Sequence, residues 1–165
     1  MPSILITVDI EIKPYLKKFL LSKSTNKIEP IRLPRKHNYN ILLWRLVTNY
    51  NNLLNIPVAD KQNVINYFKE SAINKKQGVS IILPFSDRKD VRSYNYLSIK
   101  SKKSFRNEVR LDFNFEFARD LFRGLKSRKQ RLNIVNEFKQ KHNITEDDLK
   151  SESLYRYSSR LLQEF

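Results

Sequence analysis

The sequence predicts an α+β protein that is mostly helical, with a few short strands. Three observations indicate this: the first residues alternate apolar and polar, most later apolar residues recur every three or four positions, and no proline follows Pro84. With 165 residues, 40% hydrophobic, the chain has enough apolar side chains for one core. We expect residues 1–165 to form a single domain, with an α+β front half (1–84) and a mainly helical back half (85–165).

The front half divides at its prolines. Alternation predicts a strand over Ile4–Ile12, and proline favours a first helical position, so a helix is predicted from Pro14 to about Ser22. Prolines 30 and 34 limit the next apolar segment to an edge strand at most. The remaining predicted elements are a largely buried helix capped by Asn40 and stopped by Pro57, a helix from Asp60 to about Lys76, and a strand over Val79–Leu83.

The back half begins with a segment, 86–113, that fits either a strand or a helix. Apolar residues there alternate, but they also recur every four residues from Phe105 to Leu121. After residue 113 a helix is favoured, capped by Asp112 or Asn114, with Phe115 inward and Glu116 outward. Two helices are predicted beyond it: one over 131–141 with Leu132, Val135 and Phe138 inward, and one from about Glu152, preceded by a Thr145 cap that Asp148 supports.

Charge is the strongest functional signal. The chain has 32 Lys and Arg against 17 Asp and Glu, a net charge of +15 that is spread over both halves. Such an excess favours a polyanionic partner, and nucleic acid is the commonest one. A solubilising surface and an AT-rich genome are the alternatives, although AT-rich codons raise Lys and not Arg.

Several classes of chemistry are excluded by composition. The absence of cysteine excludes disulfides and thiolate metal sites, and two glycines are too few for a phosphate-binding loop. The N-terminal segment lacks the features of a signal peptide, and no apolar run is long enough to span a membrane. We expect no membrane association, no cofactor and no enzymatic activity.

A basic stretch over residues 100–131 is the leading candidate for phosphate contact. It ends in a run of four cations within six residues, located between two predicted helices, where cations suit a phosphate backbone. A solvated helix face is the alternative. The candidate residues are Lys100, Lys102, Lys103, Arg106, Arg110, Arg119, Arg123, Lys126, Arg128, Lys129 and Arg131.

Two weaker candidates lie elsewhere. Arg35 and Lys36 precede Tyr39, which would stack on unpaired bases or else belong to the core. The segment 132–162 has the rhythm of a helix-turn-helix, with Arg156 and Arg160 on its last helix. Acidic residues 146–148 oppose phosphate binding there, and a purely structural helical subdomain is the alternative.

Catalytic residues are not evident. Asp9 and Glu11 share a strand face and would anchor a magnesium ion in a metal-dependent nuclease, but no third ligand is visible. His37 and His142 are interpreted as surface or turn residues rather than as ligands or bases.

Two separated pieces carry a resemblance. The stretches Ile10–Leu20 (IEIKPYLKKFL) and Phe138–Arg160 (FKQKHNITEDDLKSESLYRYSSR) resemble small uncharacterised proteins of phages and mobile elements of Bacteroides-type bacteria, including crAss-like phages. The resemblance implies a phage or mobile-element origin and no particular activity.

We therefore expect a non-enzymatic DNA-binding accessory or regulatory protein in the cytoplasm of the host cell. The alternative is a virion or assembly component whose basic surface faces packaged DNA, a phage protein or an acidic protein partner. A metal-dependent nuclease is the third hypothesis.

Overall fold

The computed structural model describes residues 7–49, 78–83 and 94–163. Their strands are β1 (Thr7–Glu11), β2 (Thr48–Asn49), β3 (Gly78–Ile82) and β4 (Tyr94–Tyr96), and their helices are α1 (Pro14–Lys23), α2 (Asn38–Leu46), α3 (Ile99–Lys126), α4 (Arg131–Lys141) and α5 (Ser151–Gln163). The predicted class, a mostly helical α+β protein with short strands, is confirmed. The predicted helix from Asp60 lies outside the described residues.

The chain divides into two compact units, a strand-containing unit (Met1–Ile12 and Lys23–Asn107) and a helical unit (Lys13–Ser22 and Glu108–Phe165). In the strand-containing unit, β1 pairs antiparallel with β3, with Asp9 opposite Ser80. Ile31 forms a single parallel bridge with Ile81, which confirms that the segment between the two prolines is at most an edge strand. The predicted alternation is confirmed from Thr7 onward, since Val8, Ile10 and Ile12 are buried, and its first part, residues 4–6, lies outside the described residues.

Helix α2 begins earlier and ends earlier than predicted. Its N-cap is His37, whose Nδ1 accepts from the N–H of Tyr39 at 3.2 Å. The predicted cap, Asn40, is instead a buried residue inside the helix that donates to the carbonyls of Leu33 and Pro34. The predicted run to Pro57 is wrong because the backbone becomes extended at Val47 and pairs as β2 with β4.

Helix α3 settles the ambiguity of residues 86–113 from Ile99 onward. It begins after Ser98, whose Oγ accepts from the N–H of Ser101 at 3.1 Å, so the predicted caps Asp112 and Asn114 are wrong. The four-residue repeat from Phe105 to Leu121 is buried throughout. The helix therefore follows this repeat and not the strand-like alternation.

Two residues in the middle of α3, Phe115 and Glu116, lie on the opposite sides from those predicted, whereas Phe117 and Leu121 are buried as predicted. Phe115 is 69% exposed, and Glu116 is only 4% exposed. Successive helical residues are rotated by about 100°, so Phe115 is turned about 200° from both Phe113 and Phe117, which are buried. Phe115 therefore projects from the side of the helix opposite to its core.

The helical unit is organised around edge-to-face aromatic contacts. Phe113 lies 5.4 Å from Phe19 of α1 and 5.3 Å from Phe138 of α4, and Phe138 lies 5.1 Å from Phe117, all between ring centroids. Helix α4 has the predicted bounds, but Leu132 is exposed and Ile134 is buried in its place. None of the described helices is both long enough and apolar enough to cross a membrane.

Candidate nucleic-acid interface

The cations on α3 do not share one face. Arg110 and Lys126 are separated by 16 residues, which places them about 160° apart around the helix. Arg110 is exposed and lies near Tyr15, whose pKa is raised by burial and lowered in part by Arg110. The basic stretch predicted as one patch is thus divided between two sides of the helix.

The cations at the start of α3 belong to the strand-containing unit. Lys100 and Lys103 are exposed, whereas Arg106 and Lys102 are partly buried. Burial lowers the pKa of Lys102, and the carboxylate of Asp9 opposes part of this shift. Lys102 and Arg106 are therefore less accessible to a phosphate than Lys100 and Lys103.

Arg119 lies in a network centred on the buried carboxylate of Glu116. The Nζ of Lys141 is 2.7 Å from Glu116 and 2.8 Å from Asp120, and the guanidinium of Arg119 is 3.7 Å from each carboxylate. Although burial alone would lower it, the hydrogen bonds to Asp120 and Glu116 raise the pKa of Lys141. The sequence pattern predicted Glu116 on the surface, but its carboxylate is buried, and the ammonium of Lys141 compensates its negative charge.

His142 is in a turn, as predicted, but it is buried rather than on the surface. Its ring lies between those of Phe19 and Phe138, and its Nδ1 is 2.7 Å from Ser22 Oγ. The Ser22 Oγ also lies 2.7 Å from the carbonyl of Phe19, and the His142 Nε2 lies 3.4 Å from the Glu116 carboxylate. These contacts hold the buried imidazole between α1, α3 and α4 of the helical unit.

Two cations join α4 to α5. Arg131 donates to Tyr155 Oη at 2.9 Å and to Ser159 Oγ at 3.0 Å, with its guanidinium 4.6 Å from the Tyr155 ring centroid. Lys139, which is 5% exposed, donates to Glu146 and to the carbonyl of Leu149. The start of α4 therefore lies beside the later turns of α5, and the end of α4 lies near the start of α5. This is the arrangement of an antiparallel helical hairpin.

The acidic turn before α5 has a structural role. Hydrogen bonds to Glu146 lower its pKa to about 2, with the largest effect from Lys139 and smaller ones from the hydroxyl and the N–H of Ser151. Asp148 accepts from both the N–H and the hydroxyl of Thr145, as predicted, but the pair closes a turn and caps no helix, because α5 begins only at Ser151. Residues 142–150 connect α4 to α5, and this connection is longer than the three or four residues of a helix-turn-helix turn. The helix-turn-helix interpretation stays a prediction.

Other predicted cations also have intramolecular partners. Lys129 is 2.7 Å from Glu137, and Arg156 pairs with Glu152. Arg160 is exposed, with its guanidinium 5.9 Å from the Tyr157 ring centroid.

Three cations at the end of α3 and just after it, which we call the junction cations, differ from the paired cations described above. Arg123, Lys126 and Arg128 are all exposed, and none forms an ion pair with any residue in the described parts of the chain. Arg128 has φ 60°, in the left-handed region, where its N–H bonds the carbonyl of Leu125 at 2.9 Å. The predicted run of four cations thus contains two residues with intramolecular partners, Lys129 and Arg131, and two exposed residues, Lys126 and Arg128, without an ion pair in the described ranges.

An open cleft of about 260 Å³ lies beside the junction. The Lys129–Glu137 and Lys141–Asp120 pairs both line it, together with Arg123, and Gly124 forms part of its floor. A Cβ on Gly124 would come within 2.5 Å of Ile134, so glycine permits the close approach of α3 and α4 here. The Lys129 and Lys141 charges in this cleft are paired within the protein, whereas Arg123 is one of the junction cations.

The remaining candidates lie in the strand-containing unit. Arg35 and Lys36 are exposed ahead of α2, but Tyr39 is buried against Phe105, so the prediction that Tyr39 stacks on bases is wrong and its core alternative holds. Asp9 accepts from the Ser80 hydroxyl. Within residues 7–49, 78–83 and 94–163, no three His, Asp or Glu side chains are grouped as a metal site requires.

No known protein family, curated protein or solved structure matches this chain. The interpretation of the site therefore depends on its own geometry and charge.

Proposed function

We propose that this protein is a non-enzymatic nucleic-acid-binding protein, with DNA favoured, that serves a phage or mobile element in an accessory or regulatory role. The observation that supports this most is the contrast within one run of cations. Lys129 and Arg131 are paired inside the protein, whereas Arg123, Lys126 and Arg128 are exposed without an ion pair among the described residues. Three unpaired cations within six residues suit contacts to a phosphate backbone.

The backbone at Arg128 adds a second argument. A residue with a Cβ is disfavoured in the left-handed region by about 1–2 kcal/mol, and glycine or asparagine is the usual choice there. An arginine at this position makes the folded protein less stable than glycine would, and it places a guanidinium at the turn. Such a local cost is typical of positions that carry function.

Stabilisation of the helix end explains only part of the cluster. Cations in the last turn interact favourably with the helix dipole by about 0.3–1 kcal/mol, which accounts for Arg123 and Lys126. Arg128 lies beyond the last helical residue, where this interaction falls off. Phosphate contact explains all three residues together.

The proposal is tested by fluorescence anisotropy with labelled DNA at several salt concentrations. We expect the variant R123Q/K126Q/R128Q to bind more weakly to every sequence. Each phosphate contact contributes about −0.9 to the slope of log K against log salt on duplex DNA, so the loss of three should flatten this slope by about 2.7. The matched control, K150Q/R156Q/R160Q, removes the same charge from α5 and the residue before it.

The two variants separate the competing interpretations. If the control lost sequence preference while the junction variant bound normally, α5 would read bases and the junction proposal would be wrong. If the wild type did not bind DNA or RNA at low salt, the nucleic-acid proposal itself would be contradicted, and an acidic protein partner would be favoured.

A further inference from the structure

An exposed apolar stripe runs along α3 within the helical unit. Phe115 is 69% exposed, Leu111 is 58% exposed and Phe122 is 38% exposed. A large aromatic ring this exposed is uncommon unless it serves an interaction. The most exposed member, Phe115, is accessible to a binding partner, and the residues around it specify the chemistry that such a partner would need.

Those neighbours are cations. Phe115, Arg119, Phe122 and Lys126 follow one another at spacings of four, three and four residues, the spacings that make helical side chains adjacent. The four positions fall within about 60° of the helix circumference and about 16 Å of its length. We call this alternating set the aromatic–cation strip.

The charges of the strip are accessible. The side chain of Arg119 is 44% exposed, and its carboxylate neighbours Glu116 and Asp120, at 3.7 Å, are bound more closely by Lys141. Lys126 is exposed at the end of the strip, and Arg123 lies beside it. An incoming phosphate can thus bind at both cations without breaking a short ion pair.

We propose that the aromatic–cation strip binds single-stranded nucleic acid, with an unpaired base stacked on Phe115 and the backbone phosphates contacting Arg119 and Lys126. The proposal rests on the proposed nucleic-acid function and specifies its substrate as single-stranded. Alternating aromatic rings and cations are complementary to such a strand. The rings can stack on the exposed faces of its bases, and the cations can contact its negatively charged phosphates. In duplex DNA the same base faces are stacked within the helix and cannot reach Phe115.

Charge argues against the alternative occupants. A second copy of this chain would bring another +15 to the same surface, and this repulsion opposes self-association. A purely apolar protein surface would have to desolvate Arg119 and Lys126 without compensation. Unpaired nucleic acid satisfies both the rings and the cations.

The test compares the affinities of the full chain and its Phe115 variants for single-stranded and duplex oligonucleotides of equal length. We expect F115A to reduce single-strand affinity about tenfold, since one stacked base contributes about 1–3 kcal/mol, and to leave duplex affinity within about twofold. F115L should lose as much as F115A, whereas F115W should retain the affinity. L111A is the matched control, because it removes another exposed apolar side chain of the same helix that cannot stack.

A spectroscopic signature accompanies the binding test. In F115W, a base stacked on the introduced indole should quench its fluorescence, measured as the quenching beyond that of Trp44 in the wild type. Thermal unfolding of each variant by circular dichroism should match the wild type, because residue 115 is outside the core.

The outcomes distinguish this inference from the proposed function. Equal single-strand affinity in wild type and F115A, with duplex binding still lost in R123Q/K126Q/R128Q, would overturn the strip and leave the junction proposal intact. Light scattering that showed a wild-type dimer dissociated by F115A would overturn it in favour of a second copy. Full binding by F115L would also overturn it, since leucine maintains apolar contact but cannot stack.

Discussion

The α3–α4 junction and the α4–α5 hairpin contain similar cations in different states. In the hairpin, Arg131 donates two hydrogen bonds to α5, and Lys139 donates three to the start of α5 and the turn before it. At the junction, Lys126 and Arg128 are exposed without an ion pair among the described residues. The comparison shows that the number of cations in a stretch does not measure its capacity to bind phosphate, because partners within the fold remove some of them.

The largest expected effect contrasts two lysines. Lys139→Met retains most of the buried stem but removes an ammonium that donates to Glu146, Leu149 and Ser151, so we expect a loss of about 2–3 kcal/mol in the free energy of unfolding. Lys126→Met should change it by less than about 0.5 kcal/mol. Urea titration of the full chain measures the free energy of unfolding of both variants. Equal values would contradict the assignment of Lys139 to a structural role and of Lys126 to the exposed surface.

The two arginines of the basic run should separate in the same way. Arg131→Gln loses two hydrogen bonds and the contact with the Tyr155 ring, which we expect to cost about 1–2 kcal/mol of stability. Arg128→Gln should leave stability unchanged and weaken nucleic-acid binding. If Arg131→Gln weakened binding more than Arg128→Gln while the fold was retained, the assignment of structural and binding cations would be reversed.

A smaller effect tests the cost of the turn. Arg128→Gly relieves the left-handed backbone, and after the entropy that glycine loses on folding we expect a gain of about 0.5 kcal/mol in stability. Arg128→Ala removes the same charge but keeps the Cβ, so it should show no gain. Both variants should bind nucleic acid equally weakly, and a gain in the alanine variant would indicate that charge repulsion, not backbone strain, destabilises this position.

The smallest effect is the pH dependence of Glu146. Its pKa is lowered from 4.5 to about 2 in the folded protein, so its contribution to stability is present above pH 4.5 and is lost as the pH falls toward 2. The difference in melting temperature between wild type and Glu146→Gln should therefore be constant at higher pH and narrow between pH 4.5 and 2. A difference that did not change over this range would show that Lys139 does not hold Glu146 as an ion.

Local patterns predicted much of the fold because their causes are local. Alternation placed β1 and its buried face, and Pro14 placed the start of α1. The bounds of α4 and the Thr145–Asp148 pairing were also predicted. Helix α2 was not, since its end depends on the pairing of β2 with β4, which are separated by more than 40 residues along the chain.

The candidate site was predicted as a region but not residue by residue. The sequence indicated the basic run and its position between two helices, and the junction cations lie there. Nothing in the run distinguishes Arg128 from Arg131, because the partners of Arg131 are 24 and 28 residues away. Phe115 was predicted to share a helix side with Phe117, but two residues turn a helix by about 200°, so only one of the two rings can face the core.

The sequence by itself determined the composition, the net charge of +15, the main helical periods and the four-residue repeat that becomes the buried side of α3. Because four residues turn the helix about 40° beyond a full circle, this repeat winds about 120° around α3 from Val109 to Leu121. Only the tertiary structure decided which cations are paired and which aromatic ring is exposed. Pairing and burial depend on distances between elements far apart in the chain, and these distances are set when the helices pack together.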